Sequence, residues 1–524
     1  MGVRSMRGVA PVVVGAIGHR TLSADHVDRI RIDCAHVLER HRIALPSTDV
    51  VLLTSLAEGA DALAAEAAVG LNIPVVALLP MNRAEYARDF ESAAAIEQHE
   101  HLLLAASVID GPSLGSTTRE AAYQRCAREL AATCGTLVAV WDGTAPDLPA
   151  GTADTVYFTL PGVSGLPDLS HGPATLATEH PLVLCIDSAA AAPVTRIESV
   201  DSATQWDGVP DHASVRIDEF NREAADSEIH TEGSVVGRLF TAADALAVRM
   251  QSRHRRWTII LLALGVFAVA SVDTQQQIEQ RWFFGIQVLG ILLMLTLWWL
   301  LSRWRIKDRF QEYRALAEGA RVQMVWRDAG IDDSVSNYYL AGSGVEGVWI
   351  RRALRGSRLV ERSMTSLGSD ATDARAWMED QVTYFEGSHG RGGAIAKSHR
   401  KARRCSTLAI VAVATSLVGF IPDVMQLVLG VDLDARFVSW CFVLRGVGVA
   451  CAAAFVAYSE LMGFEQVSRR YQLSAAHFRQ ALVDFDRADT NEGRLSVVRV
   501  MGIEALREAG DWLALHATRG VRPV

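Results

Sequence analysis

Four stretches of the chain, 257–272, 282–302, 405–421 and 437–458, are nearly unbroken runs of apolar residues, and they pair into two hairpins, 257–302 and 405–458. Each run approaches or reaches the ~20 residues that a helix rising ~1.5 Å per residue needs to cross a bilayer, so four transmembrane helices are predicted. Within the first pair Gln287 is the one polar interruption of note. Arg253, Arg255 and Arg256 precede the first run, and Arg303, Arg305, Lys307 and Arg309 follow the second. Lys397, Arg400, Lys401, Arg403 and Arg404 precede the third run, and Arg469 and Arg470 follow the fourth. The loops within the hairpins, 273–281 and 422–436, set Asp273, Glu279, Asp423, Asp432 and Asp434 against only Arg281 and Arg436. The positive-inside bias therefore predicts a multi-pass membrane protein with both termini and the segment between the hairpins cytoplasmic. Trp257, Trp282, Trp298 and Trp299 fall at span ends, where an amphipathic ring suits the interface.

Each hairpin runs into a helical pattern. Ile306, Phe310, Tyr313, Ala317, Ala320 and Met324 recur in steps of four and three, and Phe464, Val467, Tyr471, Ser474, Phe478, Ala481 and Phe485 do the same, the seam of a helix that packs on another helix. Tyr313/Ala317/Arg321 and Tyr471/Ala475/Arg479 share a Tyr-x-x-x-Ala-x-x-x-Arg spacing, which suggests one unit, hairpin plus cytosolic helix, present twice.

The first 195 residues change period. Short apolar runs at 9–14, 50–54, 75–79, 102–108, 137–141 and 182–186 read as strands, and the patterns at 23–41, 61–71, 83–99 and 116–133 read as helices. Continuous apolar strands separated by helices predict an α/β domain with a doubly wound parallel sheet, whose ligands bind at the carboxyl ends of the strands. Three glycine-bearing turns are expected there. In the first, Gly15 and Gly18 permit close backbone approach while His19 and Arg20 are placed to meet a phosphate. In the second, Ser55, Glu58, Gly59 and Asp61 open a helix whose N-terminal amides attract anions. The third joins Asp142 and Gly143 to Gly151, Thr152 and Asp154. Glycines are common in such turns for purely structural reasons, so the ordered set counts for more than any one of them.

The segmentation that follows is 1–195, the α/β domain; 196–251, a linker and pre-membrane helix; 252–356, the first hairpin with its helix; 357–396, a linker; and 397–524, the second hairpin with its helix. At 524 residues the chain exceeds one domain, and a net charge of −9 argues against nucleic acid as a partner. The seven cysteines form no CxxC pair, and the fifteen histidines include no HExxH, so no structural metal and no resident cofactor are expected. The first ten residues hold no apolar stretch, so insertion is expected to rely on the internal spans.

Together, GxxGHR at 15–20, SxAEGAD at 55–61, YxxDF at Tyr86, Asp89 and Phe90, and Trp141-Asp142-Gly143 followed by Gly151-Thr152-Ala153-Asp154 resemble the SLOG superfamily. These are Rossmann-like proteins related to the LOG nucleoside-phosphate hydrolases and to the nucleotide-binding domain of TRPM channels; the resemblance covers about residues 9–190. The membrane half is similar to the SLATT type, a two-helix hairpin with a following cytosolic helix, best in 313–326 and more loosely in the second hairpin and 504–512. LOG enzymes cleave the N-glycosidic bond of a nucleoside monophosphate with a GGxGTxxE loop, and the resemblance puts Thr155 where that glutamate would stand. Hydrolysis needs a carboxylate near the attacking water or ribose hydroxyl. The resemblance therefore implies a sensor of a nucleotide or NAD-derived signal, acting as a homo-oligomer that permeabilises the lipid bilayer in bacterial anti-phage conflict. A membrane-tethered hydrolase, with Asp154 or Glu58 replacing the missing glutamate, and a structural scaffold are the alternatives.

Arg445 bears on the output. A charge within the last span is expensive and is expected to face a bundle interior, a watery lumen or a partner among Asp423, Asp432 and Asp434, unless the span begins later and Arg445 snorkels outward.

Overall fold

The computed structural model describes residues 6–115, 117–144, 151–160, 180–199, 202–227, 229, 233–277, 281–339, 344–368, 371–388, 391–430 and 433–517. By internal contacts the chain forms two units, one of Met1–Leu246, Glu312–Asp370 and Gly502–Val524, the other of Ala247–Gln311 and Ala371–Met501. This division differs from the sequence segmentation, because most of the helix after the first hairpin groups with the α/β unit.

In chain order the α/β region runs β1 (Val12–Gly18), α1 (Ala24–Ala44), β2 (Val50–Thr54), α2 (Ala60–Gly70), β3 (Val75–Leu78), α3 (Arg83–Tyr86), α4 (Ala93–Ala105), β4 (Ser107–Ile109) and α5 (Arg119–Thr133). There follow β5 (Thr136–Trp141), α6 (Thr152–Thr159), β6 (Leu182–Asp187), β7 (Thr195–Ser199), β8 (Ser202–Gln205) and α7 (His212–Asp226). The remainder is helical apart from a short antiparallel pair of strands, Gly387–Ser388 with Arg391–Gly392: α8 (Val235–Gln277), α9 (Arg281–Arg303), α10 (Ile306–Ala329), α11 (Gly344–Arg362), α12 (Thr372–Glu386), α13 (Ala394–Val418), α14 (Ile421–Leu429), α15 (Ala435–Met462), α16 (Phe464–Arg487) and α17 (Asn491–Ala517).

Strands β1 to β8 form one mixed sheet in the order β4-β3-β2-β1-β5-β6-β7-β8. The strands from β4 to β6 are parallel to their neighbours, and β7 and β8 are antiparallel additions at one edge. Every residue of β2, β3 and β5 is buried, because both faces are covered. On one face Val13, Ile17, Leu53, Leu78 and Leu137 pack with Cys126 and Leu130 of α5, Val156 of α6 and Val360 of α11. On the other face lie α1 and α2, with His41 of α1 reaching Thr136 at the start of β5. Side-chain caps set helix starts: Ser92, Thr118 and Asp211 accept from the amides of Ala95, Ala121 and Ser214.

Three sequence expectations are corrected here. The first strand is Val12–Gly18 rather than 9–14, so Gly15 and Gly18 lie inside it. The apolar residues at 102–105 close α4, capped by Ser92, and only Ser107–Ile109 is strand; a short apolar run has no period to tell the two apart. The segment after 195, read as a linker, adds β7 and β8 to the sheet, and β8 is an exposed edge strand without an apolar pattern to announce it.

The α/β unit also holds α11 and the greater part of α10. Tyr313, Phe220 and Trp349 meet ring to ring, Tyr313 donates to Glu223 at 2.8 Å, and Arg216 pairs with the buried Glu312 at 2.6 Å. The seam residues Tyr313, Ala317 and Ala320 are all buried.

In the second unit α13 and α15 pack closely. A Cβ on Gly448 would lie 2.7 Å from that of Ser416, whose hydroxyl donates to the Arg445 carbonyl at 2.8 Å. The segment 357–396, expected as a linker, contains α12, which supplies the partner for the seam of α16: Trp377 and Phe385 pack on Phe478, and Arg375 binds Asp486. The expected loop 422–436 begins as α14. Four helical stretches, Val235–Val272, Phe284–Ala329, Ala394–Leu429 and Ala435–Arg487, are long and apolar enough to cross a membrane.

Candidate functional site

The carboxyl ends of β1, β2 and β5 lie side by side, with Ala16 opposite Thr54 and Gly18 opposite Val140. Strand order reverses at β1, since the chain proceeds outward through β2, β3 and β4 before returning to β5. Connections that diverge in this way leave a crevice at the strand ends.

Gly15 and Gly18 serve packing. A Cβ on Gly15 would meet Leu130 at 2.9 Å and Cys134 at 3.0 Å; one on Gly18 would stand 2.3 Å from the Ala60 Cβ. The first two loops are joined by backbone, with His19 N–H donating to the Val140 carbonyl and Ala60 N–H to the His19 carbonyl, each at 3.1 Å. Gly59, at φ +85°, is the N-cap of α2.

The acid in the first turn of α2 bonds the loop that precedes its own helix. Asp61 is buried and accepts from the Thr54 hydroxyl at 3.0 Å and the Ser55 hydroxyl at 2.7 Å, with further bonds from the Ser55 and Ala57 backbone. Burial holds its pKa above the ordinary carboxylate value despite these donors. Ser55 and Asp61 thus brace the loop. Leu56 within it adopts φ +53°, a left-handed conformation uncommon for a branched side chain, and its carbonyl meets His99 Nδ1 at 3.1 Å.

The exposed residues of the crevice are Arg20, Glu58, Asp142 and Gly143, with His19 half-buried beside them. His19 Nε2 lies 3.3 Å from Asp142 Oδ1. The Asp142 pKa falls below the ordinary carboxylate range because the Thr144 hydroxyl and amide both donate to it. Gly143 follows at φ +80°, with open space around its α-carbon. Ala150, at the start of the third turn's second half, lies outside the described residues. Gly151 caps α6, and Thr152 and Asp154 occupy its first turn, with Thr152 half-buried.

Thr155, in the position where a LOG-type glutamate would stand, is 4% exposed and donates its hydroxyl to the Gly151 carbonyl at 3.0 Å. It is turned into the helix.

A second group joins the crevice that glycine patterns did not reveal. Arg20 Nη2 donates to the Tyr123 hydroxyl at 3.0 Å and its guanidinium stands over the Tyr123 ring at 5.3 Å. Tyr123 in turn donates to Asp89, which also binds Arg119 at 2.9 Å. Burial, the first cause, together with Asp89 pushes the Tyr123 pKa up to about 12. Tyr86 is buried between Phe90, His99 and Tyr123. The one sequence signal for this group is the Tyr86/Asp89/Phe90 spacing; Arg119 and Tyr123, one turn apart on α5, belong to no motif read from the sequence.

Chemically the crevice offers one exposed guanidinium, an imidazole beside a carboxylate, the free Glu58 carboxylate and glycine backbone that a ligand can approach closely. Compared with family models, with curated proteins and with solved structures, the chain matches none of them significantly.

Proposed function

We propose that this protein is a membrane-embedded sensor-effector, whose α/β unit binds a nucleotide or NAD-derived signal at the strand ends and whose membrane helices respond. The observation that carries the binding half is that His19, Arg20, Glu58, Asp142 and Gly143 lie on the loops that follow the adjacent strands β1, β2 and β5, at the strand-order reversal. The arrangement suits the Rossmann-like, doubly wound reading of the sheet. The SLOG and SLATT resemblances rest on motifs alone, and they supply the nucleotide and the anti-phage setting.

Binding without turnover is the preferred reading because Thr155 is buried and committed to Gly151, leaving the LOG-type position without a carboxylate. Glu58 and Asp142 are carboxylates of the same crevice, so hydrolysis is the competing outcome of the test. The output is assigned to the membrane helices on the proposed topology: an inner-membrane, multi-pass chain with cytoplasmic termini, homo-oligomeric, in which ligand binding biases assembly by its differential affinity for two states. The chain backbone is continuous in α8, Val235–Gln277, from the α/β unit into the first apolar run.

The full-length protein in detergent, titrated with nucleoside monophosphates, NAD and ADP-ribose, tests the proposal. Saturable binding that raises the thermal midpoint without release of free base supports it. Base release would replace the sensor with a hydrolase, and neither response would leave a scaffold.

A further inference from the structure

The third apolar run is too short to cross a bilayer as one helix. From Cys405 to the end of α13 at Val418 it rises about 20 Å, against a hydrocarbon thickness of about 30 Å. The chain then breaks: Gly419 and Phe420 form tighter bonds to the carbonyls of Ser416 and Leu417, three residues back, and Pro422 has no N–H to donate. Beyond the break α14 continues to Leu429, and with it the apolar stretch reaches about 36 Å. The helical stretch long and apolar enough to cross a membrane covers both pieces, Ala394–Leu429, and a crossing on both would be a discontinuous span.

The facing helix brings a charge to the same level. Arg445 lies about 12 Å along α15 from Phe437, where the apolar run begins, and so inside that run rather than at its end. A Cβ on Gly419 would come within 3.0 Å of the Arg445 amide nitrogen. Arg445 Nη2 binds Asp423 Oδ2 at 2.8 Å, and its guanidinium stands 4.2 Å from the Phe420 ring centroid and 5.2 Å from that of Phe442. The pair is not enclosed: the Asp423 side chain is 53% exposed, and among the described residues Arg445 Nε has no hydrogen-bond partner.

Hydrocarbon does not tolerate this combination. A broken backbone at membrane depth persists only where protein covers it or where it lines a water-filled cavity, and a half-exposed carboxylate there has the same requirement. The Phe420 and Phe442 rings stand against the guanidinium, and Asp423 stays open. We propose that the face of the second hairpin bearing Phe420, Asp423 and Arg445 lines a water-filled crevice that enters the membrane as far as the break at Gly419. The crevice places a carboxylate and a guanidinium in contact with water inside the bilayer, as in the path of a small hydrated ion. It stands independently of whatever the α/β unit binds.

Substituted-cysteine accessibility tests this in the full-length protein reconstituted into phosphatidylcholine/phosphatidylglycerol vesicles. Asp423→Cys, Phe420→Cys and Val449→Cys are exposed to a charged, membrane-impermeant methanethiosulfonate and labelling is read by peptide mass spectrometry. Phe420→Cys keeps the ion pair, so a folding defect in Asp423→Cys leaves the test intact. Val449, on α15 one turn from Arg445, is more exposed than Phe420, 59% against 40%, so exposure alone favours its reaction. Wet-crevice labelling is expected to be at least tenfold faster at Phe420 and Asp423 than at Val449. Equal rates at Phe420 and Val449, or no reaction at Phe420, would overturn the proposal.

Discussion

Gly59 and Arg20 meet backbone to backbone: a Cβ on Gly59 would stand 2.2 Å from the Arg20 carbonyl oxygen. Gly59 also holds φ +85°, so any other residue there suffers both the collision and the left-handed strain. Gly143 separates the two effects, with φ +80° but nothing within 4 Å of its added Cβ. Gly59→Ala is expected to cost at least ~2 kcal/mol of stability and Gly143→Ala about 1 kcal/mol, read by denaturant unfolding. Equal losses would mean the close approach contributes nothing.

Arg20 is exposed and its side chain is held only through Tyr123 among the described residues. Its removal should spare the fold. Arg20→Ala is expected to weaken nucleoside monophosphate binding by ~10-fold or more, since a charge-assisted bond contributes about 1.5–3 kcal/mol, while the thermal midpoint without ligand moves little. Calorimetric titration of both proteins measures it, and unchanged affinity would remove Arg20 from the site.

Thr155 is a poor place to restore a catalytic carboxylate. Thr155→Glu buries a charge where a hydroxyl now returns to Gly151, and the expected result is a thermal midpoint lowered by several degrees with no release of free base. Chromatography of the reaction with nucleoside monophosphates checks this; base release by the variant would show that the loop is a latent active site.

His41 sets a pH dependence. Its Nδ1 lies 2.9 Å from the Val37 carbonyl and its Nε2 3.0 Å from the Thr136 hydroxyl, and the ring stacks on Trp206. A neutral imidazole that donates through Nδ1 and accepts through Nε2 satisfies both contacts. Burial keeps its folded pKa below the ordinary 6.5, outweighing the Val37 carbonyl and Asp211. The unfolded chain therefore takes up this proton first as pH falls, and the stability is full above about 6.5 and lost on descending toward the folded pKa. Thermal midpoints between pH 7.5 and 5.5 should fall more steeply for the native protein than for His41→Gln; parallel curves would exclude His41 as the cause.

The candidate site was legible in part. His19, Arg20, Gly59, Asp142 and Gly143 are found at the strand ends where the glycine spacing put them, because a βα turn needs φ > 0 or close approach at particular positions and few residues supply either. The roles of Gly15, Gly18, Ser55 and Asp61 were not legible. A glycine required by a neighbouring helix and an acid required by its own loop have the same letters as ligand-binding ones. Tyr123 and Arg119 went unseen because their relation to Arg20 and Asp89 joins α5 to loops distant in the chain.

By itself the sequence determined the four membrane-length helices and the alternating α/β region, since both follow from the period and length of apolar runs, properties carried by neighbouring residues. The tertiary structure alone decided the partners. It paired Arg445 with Asp423 rather than Asp434, Asp432 lying outside the described residues, joined α10 to α7 and α11 but α16 to α12, and placed a break inside the third span. Such choices depend on contacts between residues far apart in sequence, and a period read along one chain holds no record of which distant surface will cover it.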